Sequence, residues 1–301
     1  MKTDIYQRIT DQIVGELERG VRPWLRPWNA EHAAGRITRP LRGSGIPCQG
    51  INVLMLWSAA MEKGYAAPVW MTFKQARALK ANVRAGEHGS LVVYADKIIR
   101  TEADATTDKE AERTIPFLKG DTVFNVEQID GLPEHYYGKP EPRVDSIARI
   151  DRAEAEAFFA DTGAAIRHGG AMACYNISQD FVQMPPFEAF HDAESFYSTL
   201  AHESHWTCHK SRLDRDFGRK RFGDEGYAME ELVAELGSAF LSADLDLTPE
   251  LRRDHSSYIA SWIKVLKDDK RAIFTAASHA QRAADFLHGL QKFASAQVDA
   301  A

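Results

Sequence analysis

The amino-acid sequence predicts an α+β protein in two parts, a mixed α+β part over residues 1–145 and a mainly helical part with a small sheet over residues 146–301. Three observations predict it. Helical and strand-like runs are mixed in the first part, whereas apolar residues at helical spacing dominate the second. Between them, "GLPEHYYGKPEPRVD" has the prolines and glycines of a linker, which puts the boundary near residue 145. Charge is also divided: residues 1–100 hold 15 Lys+Arg against 8 Asp+Glu, and the remainder holds 22 against 35, so a net charge of −6 conceals a basic front and an acidic back.

Each element follows from local pattern. Ile5, Ile9, Ile13 and Leu17 form one stripe of "DIYQRITDQIVGELERG", an amphipathic helix stopped by Gly20. "VRPWLRPW" holds two Arg-Pro-Trp triplets, and its prolines favour an extended loop. The basic, Gly- and Pro-rich "HAAGRITRPLRGSGIPCQG" continues as a loop. "INVLMLWSAAMEKG" reads as a helix and "TFKQARALKA" as a shorter one with Thr72 as N-cap. "GSLVVYADKIIR" and "IPFLKGDTVFNVEQI" read as paired strands. The polar "TEADATTDKEAER" between them is a hairpin extension or a flexible loop. The second part opens with a helix in "IDRAEAEAFFADTG" and three short strands in "AAIRHGG", "MACYNIS" and "DFVQMPP". Helices follow in "DAESFYSTLAHESHW", "YAMEELVAELGSAFLSADL", "SYIASWIKVLKDD" and "KRAIFTAASHAQRAADFLHGL".

Hydrophobic residues make up 44% and charged residues 27%, a balance that supports a real core. No apolar run approaches the roughly 18 residues that span a bilayer, and "MKTDIYQRITDQIV" has none of the features of a signal peptide. A cytoplasmic protein is expected. Cys48, Cys174 and Cys208 are far apart and form no Cys-x-x-Cys pair, which argues against a zinc ribbon and a disulfide scaffold.

"TLAHESHWTCH" packs His202, Glu203, His205 and His209 into eight positions. It is one residue short of the zinc-protease signature His-Glu-x-x-His. In that signature the histidines lie about 40° apart around a helix and the glutamate flanks them as general base. Here His202 and His205 fall about 60° apart, but Glu203 lands about 160° from His205. A tightened turn resolves the conflict: at three residues per turn the histidines eclipse and Glu203 sits about 120° away. A metal site therefore predicts a local 3₁₀ or distorted turn at residues 202–205. His209 is too far along a straight helix to join, and could do so only if the helix ends near Thr207. A third protein ligand is needed, and "YAMEELVAELG" offers Glu230, Glu231 and Glu235. We assign Glu231 as ligand and Glu235 as the acid that orients a histidine, a pair that could be swapped. The plainer alternative is a solvated helix face. Imidazole and carboxylate donors suit Zn2+, with Mn2+ also acceptable.

At these residues the chain resembles the ArdC-type plasmid antirestriction family and the N-terminal region of TraC-type conjugative primases. The resemblance covers nearly the whole chain. It is carried by "DIYQRITDQIVGELERGVRPWLRPW", "QGINVLMLW", "WMTFKQARAL", "VRAGEHGSLVVY", "VFNVEQ", "FYSTLAHESHWTCHKSRLDR" and "YAMEELVAELGSAFL". It implies an N-terminal single-stranded-DNA-binding domain, a C-terminal zincin-like metallopeptidase domain, and a role in protecting incoming conjugative DNA from restriction in the recipient cell. The shortened motif departs from the family pattern and bears on whether Glu203 acts as a base.

Single-strand binding needs cations for phosphates and aromatic faces for bases. The front part offers Trp24 and Trp28 interleaved with Arg22 and Arg26, then Arg36, Arg39 and Arg42 in the Gly-rich loop, with Lys74 and Arg84 downstream. Trp57 and Trp70 fit the core better. Were the back part an enzyme, it would hydrolyse a peptide bond in a protein found near single-stranded DNA, with Glu203 taking a proton and Tyr227 a candidate oxyanion donor. "DFVQMPP" could be the edge strand that pairs with substrate. The first rival is a strand-coating protein whose metal fold does not turn over. A metal-dependent nuclease fits poorly, since such sites use several carboxylates around two metals. The sequence does not specify an oligomeric state.

Overall fold

A computed structural model of the chain describes residues 4–25, 38–103, 110–138, 152–218, 224–247 and 256–291. The boundary expected near residue 145 lies outside these residues.

Helix α1 (Ile5–Glu18) starts on the Asp4 carboxylate, which accepts from the Tyr6 amide at 3.0 Å, and buries Ile9, Ile13, Val14 and Leu17. Helix α2 (Ile51–Lys63) is stopped by Gly64, whose φ of 75° suits a residue without Cβ. Between them lies β1 (Leu41–Arg42), and after α2 come β2 (Val69–Thr72), α3 (Phe73–Ala78), β3 (Asn82–Val83), β4 (Ser90–Ala103), β5 (Glu110–Asn125) and β6 (Ile129–Asp130). Thr72 and Gln75 form a capping box that starts α3, as the sequence predicts.

The main sheet has the order β1-β2-β5-β4, with β1 parallel to β2 and the other pairs antiparallel. The β4–β5 pairing continues through much of the polar stretch, so that stretch extends the hairpin. Asn52 pins α2 to the sheet: its amide donates to the Val93 carbonyl at 2.7 Å and its carbonyl accepts from the Val93 amide at 2.8 Å. β3 and β6 form a separate antiparallel pair. Strands β1, β2, β3 and β6 are not legible in the sequence, because two to four residues are too few to show alternation.

The second part contains α4 (Arg152–Asp161), β7 (Ile166–His168), β8 (Cys174–Asn176), β9 (Phe181–Met184), α5 (Ala193–His202), α6 (Glu225–Asp244), α7 (Ser256–Asp268) and α8 (Ala272–Gly289). The expectation that "DFVQMPP" is an edge strand is overturned. The small sheet has the order β7-β9-β8, so β9 is central and both its edges are used. A tight turn at residues 177–180 folds β8 antiparallel onto β9, while β7 runs parallel along the other side. The edges are β7 and β8.

Helix α6 is buried from Ala228 to Ala243. Alanines 276, 277, 280 and 284 of α8 are buried, and the carbonyl of Ala280 lies 4.0 Å from where a Cβ on Gly237 of α6 would sit. One buried cluster runs through both parts, from Ile9, Trp57 and Trp70 to Phe240, Trp262 and Ala277. Polar contacts tie the parts together as well. Thr10 donates to the Lys270 carbonyl at 2.8 Å. Arg39 donates to Gln281 and to Asp244, each at 2.7 Å, with its guanidinium 4.8 Å from the centroid of Phe240. A smaller cluster that includes Met71, Ala76, Val126, Ile129 and Leu132 forms a second core within the front part. Among the described residues no helix is long and apolar enough to cross a membrane.

Arg39 is a buried cation between two helices of the other part. Replacing it with Ala takes the guanidinium from the Asp244 carboxylate and should cost about 3–5 kcal/mol of stability. Arg39→Met keeps the volume but also removes the charge, so it should recover only the packing share. Urea unfolding of the two variants beside the parent chain measures both.

Candidate metal centre and its surroundings

Helix α5 begins on Asp192, which accepts from the Ser195 amide at 2.7 Å and its hydroxyl at 2.8 Å, and runs to His202. The chain then tightens into a 3₁₀ helix over Glu203–Cys208. It overlaps the tightened turn expected at residues 202–205, but begins after His202, which closes α5, and runs three residues further. Ser204 packs towards Gly237 of α6, with its hydroxyl 3.8 Å from where a Cβ there would sit. The backbone turns away at His209, whose Nδ1 lies 2.8 Å from the Ser211 hydroxyl and 4.0 Å from Asp180. His209, the alternative ligand, thus makes its contacts with this loop.

Three glutamates of α6 are buried, which excludes the solvated-face reading. Buried carboxylates need partners, and the partners sort them. Glu230 accepts from Arg215 Nε at 3.1 and 3.0 Å, an ion pair buried on both sides. Glu231 lies 3.5 Å from His202 Nε2 through its Oε2. Glu235, one turn further, meets Arg22 Nη1 at 3.1 Å. Tyr227, on the turn before Glu231, has its hydroxyl 3.4 Å from that of Tyr258. Burial first, and then Tyr258 and Glu231, push the Tyr227 phenol far above its ordinary range.

Of the sequence-predicted ligands, then, His202 and Glu231 come together. The backbone of His205 lies in the 3₁₀ turn, and its side chain lies outside the described residues. Among the described residues no group of three or more His, Cys, Asp and Glu is gathered to hold a metal ion. One imidazole beside one buried carboxylate supplies two donors of the kinds that Zn2+ and Mn2+ take, one short of the three protein ligands such a site uses. Glu203 is buried, and its charge, after burial, helps push the Cys174 thiol on edge strand β8 upward.

Two arginines that sequence reasoning misses fix the turn. Arg212 donates from Nε to the Trp206 carbonyl at 2.6 Å, stacks 4.5 Å from the Trp206 ring, and reaches Asp180 at 3.0 Å and the Tyr175 hydroxyl at 3.0 Å. It thereby clamps the β8–β9 hairpin onto the 3₁₀ helix. Arg215 joins the loop to α6. Both lie in an aperiodic stretch, "KSRLDRD", which carries no signal of its role.

The nucleic-acid candidates separate by burial. Trp24 is fully buried with its ring 5.9 Å from Trp262, and Arg39 is enclosed between α6 and α8. Neither presents a surface to a strand, because each fills a gap between the two parts. Arg22 is committed to Glu235. Trp57 and Trp70 are buried, in keeping with the core reading. Arg26, Trp28 and Arg36 lie outside the described residues. Arg42 and Lys74 are exposed, and Arg84 is exposed but paired with Glu87 at 2.7 Å. Two exposed aromatics escape sequence reasoning: Phe73, 52% exposed, and Tyr94, 40% exposed with the Lys119 ammonium 5.5 Å from its centroid.

Residues 3–124 match the family model described as the N-terminal domain of anti-restriction factor ArdC, and residues 153–279 match that of a zincin-like metallopeptidase. The metal-free crystal structure of antirestriction ArdC from plasmid R388 is 46% identical, covers 96% of this chain and 98% of its own, and superposes with a TM-score of 0.80. Its Mn(II)-bound structure is 43% identical, with a TM-score of 0.78 and coverage of 96% and 99%. Protein y4eC of Sinorhizobium fredii (strain NBRC 101917 / NGR234) is 47% identical, over 96% of this chain and 93% of y4eC. DNA primase TraC of Escherichia coli is 36% identical over 95% of this chain, which spans 27% of that primase.

The Arg212 guanidinium, foremost among its neighbours, holds Asp180 down to about 2. A depressed carboxylate stabilises the fold above its unfolded value and loses that contribution as pH falls through the folded one. The hairpin clamp should therefore be at full strength above about pH 4, the ordinary carboxylate value, and be lost towards about pH 2. Melting temperatures taken from about pH 5 to about pH 2 should fall less steeply for Asp180→Asn than for the parent. Equal slopes would remove Asp180 from the acid limb.

Proposed function

From the fact that the chain belongs to the ArdC-type antirestriction family, we propose that it binds single-stranded DNA with its front part and shields incoming conjugative DNA from restriction in the cytoplasm of the recipient. On this reading the zincin-like part holds Zn2+ or Mn2+ through His202, Glu231 and His205 as a scaffold that does not turn over. What supports strand binding is the exposed ring of Phe73 with Lys74 next to it in sequence. Arg42 contributes from β1, whose register partner Trp70 lies on the strand that leads into Phe73. A base stacks on the ring and phosphates meet the cations, an arrangement indifferent to sequence. Tyr94 with Lys119 offers a second step of the same kind.

The observation that carries the scaffold reading is the spacing His202-Glu203-x-His205, one residue shorter than the hydrolytic signature. At three residues per turn position 203 lies about 120° from both histidine positions, against about 100° and 60° in the regular signature. A bound metal would supply charge that polarises a carbonyl and a more acidic bound water. Glu203 would have to reach that water from the side of the turn. A second reading, a peptidase acting on proteins near single-stranded DNA, draws support from the same turn. It keeps Glu203 within a third of a revolution of both histidines, with Tyr227 beside Glu231.

Two measurements decide these points. Combining Arg42→Ala with Lys74→Ala should weaken oligonucleotide binding and shrink the salt slope by about 0.7 for each phosphate no longer neutralised. Phe73→Ala should weaken it by about 1–3 kcal/mol more. Unchanged affinity and slope would move the strand elsewhere. In casein degradation with Zn2+ or Mn2+, with and without chelator, the parent chain should show no more turnover than Glu203→Ala. Chelator-sensitive turnover that vanishes in Glu203→Ala would establish the peptidase reading instead.

A further inference from the structure

The candidate metal centre is not built from the back part alone. Glu235 stands one helical turn from Glu231, on the same face of α6, and the group that meets it comes from the front part of the chain. Arg22 Nη1 lies 3.1 Å from Glu235 Oε1, and both side chains are largely buried, at 12% and 6% exposure. Arg22 is not a surface cation that happens to reach across. Two residues later Trp24 is fully buried with its ring edge-on to Trp262, and Trp262 stacks at 6.2 Å on Tyr258. The Tyr258 hydroxyl lies 3.4 Å from that of Tyr227, which neighbours Glu231. The segment 22–24 is thus anchored at both ends of the site's outer wall, and the anchor fixes where the guanidinium sits.

A cation site at His202 and Glu231 feels every charge within a turn of it. Glu235 adds a negative charge there, and Arg22 offsets it. We propose that Arg22 is a positioning residue of the metal centre. It holds the Glu235 carboxylate in an ion pair, so that Glu235 does not add its charge to the ligand set, and the front part thereby sets the metal affinity of the back part. This rests on the reading that His202 and Glu231 hold a cation. Removing Arg22 takes away the guanidinium that offsets the Glu235 charge beside Glu231, and a divalent ion bound there replaces it. The loss of Arg22 therefore tightens metal binding, which is opposite in sign to the loss of a ligand. By reciprocity, metal binding draws on Glu235 and weakens the grip on Arg22.

The test is Mn2+ alone, titrated into the full-length chain by competition with a chromophoric chelator and followed by Mn2+ electron paramagnetic resonance. Arg22→Ala should bind Mn2+ roughly tenfold tighter than the parent, the scale of a unit charge removed from a partly buried site. Arg22→Lys, which keeps the charge, should stay within about twofold, and Arg22→Ala combined with Glu235→Gln, which removes both charges, should return to the parent value. Arg22→Gln, which keeps a side chain to fill the site and a donor for Glu235 but removes the charge, should tighten Mn2+ binding as Arg22→Ala does, so the proposal is tested even where Arg22→Ala unfolds, and parent-like binding by Arg22→Gln overturns it. Parent-like or weaker binding by Arg22→Ala, or a double variant that departs from the parent value, overturns the proposal. If the parent binds no Mn2+, or His202→Ala binds as well as the parent, the metal centre itself fails and the role of Arg22 falls with it. Binding by the parent that His202→Ala abolishes and Arg22→Ala leaves unchanged sinks the role of Arg22 alone.

Discussion

A buried helix that carries three carboxylates sets the terms for the rest of this structure. α6 is enclosed along nearly all of its length, yet Glu230, Glu231 and Glu235 sit within it. Ionised groups persist in such surroundings only if opposite charges or strong donors come to them. Each glutamate draws its partner from a different direction. Arg215 comes from the loop after the 3₁₀ turn, His202 from the end of α5, and Arg22 from the other part of the chain. The demand for charge pairing along one helix thus gathers the candidate centre and ties the two parts of the molecule to it.

The same logic explains where the front part places its large residues. A tryptophan between arginines in a proline-rich loop looks like a platform for bases. In the folded chain Trp24 is fully buried against Trp262 of α7, and Arg39 closes the gap between α6 and α8. Both are used for joining because the core is continuous across the parts. Among the described residues the exposed Arg42, Phe73 and Lys74, and Tyr94 with Lys119, take no part in this joining. The basic balance of the front part is genuine, but some of that charge neutralises acids of the back part.

Features fixed by neighbours in sequence are legible in it, and features fixed by distant partners are not. The stripe of α1, the Thr72 capping box, the β4–β5 hairpin and the three strands β7, β8 and β9 follow from local spacing and stop signals. So does the 3₁₀ turn, since it is the local geometry that reconciles His202, Glu203 and His205. The order of the small sheet escapes such reading because strand length does not say which strand is in the middle. The choice among three glutamates is only half legible: spacing puts Glu231 and Glu235 on one face, but the arginine that claims Glu235 is 213 residues away. Exposure of Phe73 is hidden because an aromatic at the first position of a short helix reads as core as easily as surface.

A motif one residue short in a continuous α-helix would rotate everything beyond it by about 100°. Trp206, Thr207 and Cys208 could not then all be buried where they are. The 3₁₀ stretch overwinds the chain and absorbs that rotation, with poorer hydrogen-bond geometry and eclipsed side chains as the consequence. Such a stretch persists only where its surroundings over-determine it. Here they do: Gly237 admits Ser204, Arg212 takes the carbonyl of Trp206 and covers its ring, and Arg215 lies 3.5 Å from the Thr207 hydroxyl while held by Glu230. The constraints that keep the shortened motif in register therefore come from two sides: from the β8–β9 hairpin through Arg212, and from α6, the helix that carries Glu231. The spacing of the histidines and the position of the Glu231 carboxylate are thus coupled through the same packing. Inserting a residue into the motif without loosening Arg212 and Arg215 would push Trp206 out of its seat, so a change of spacing at the motif has to be matched in the loop that carries the two arginines.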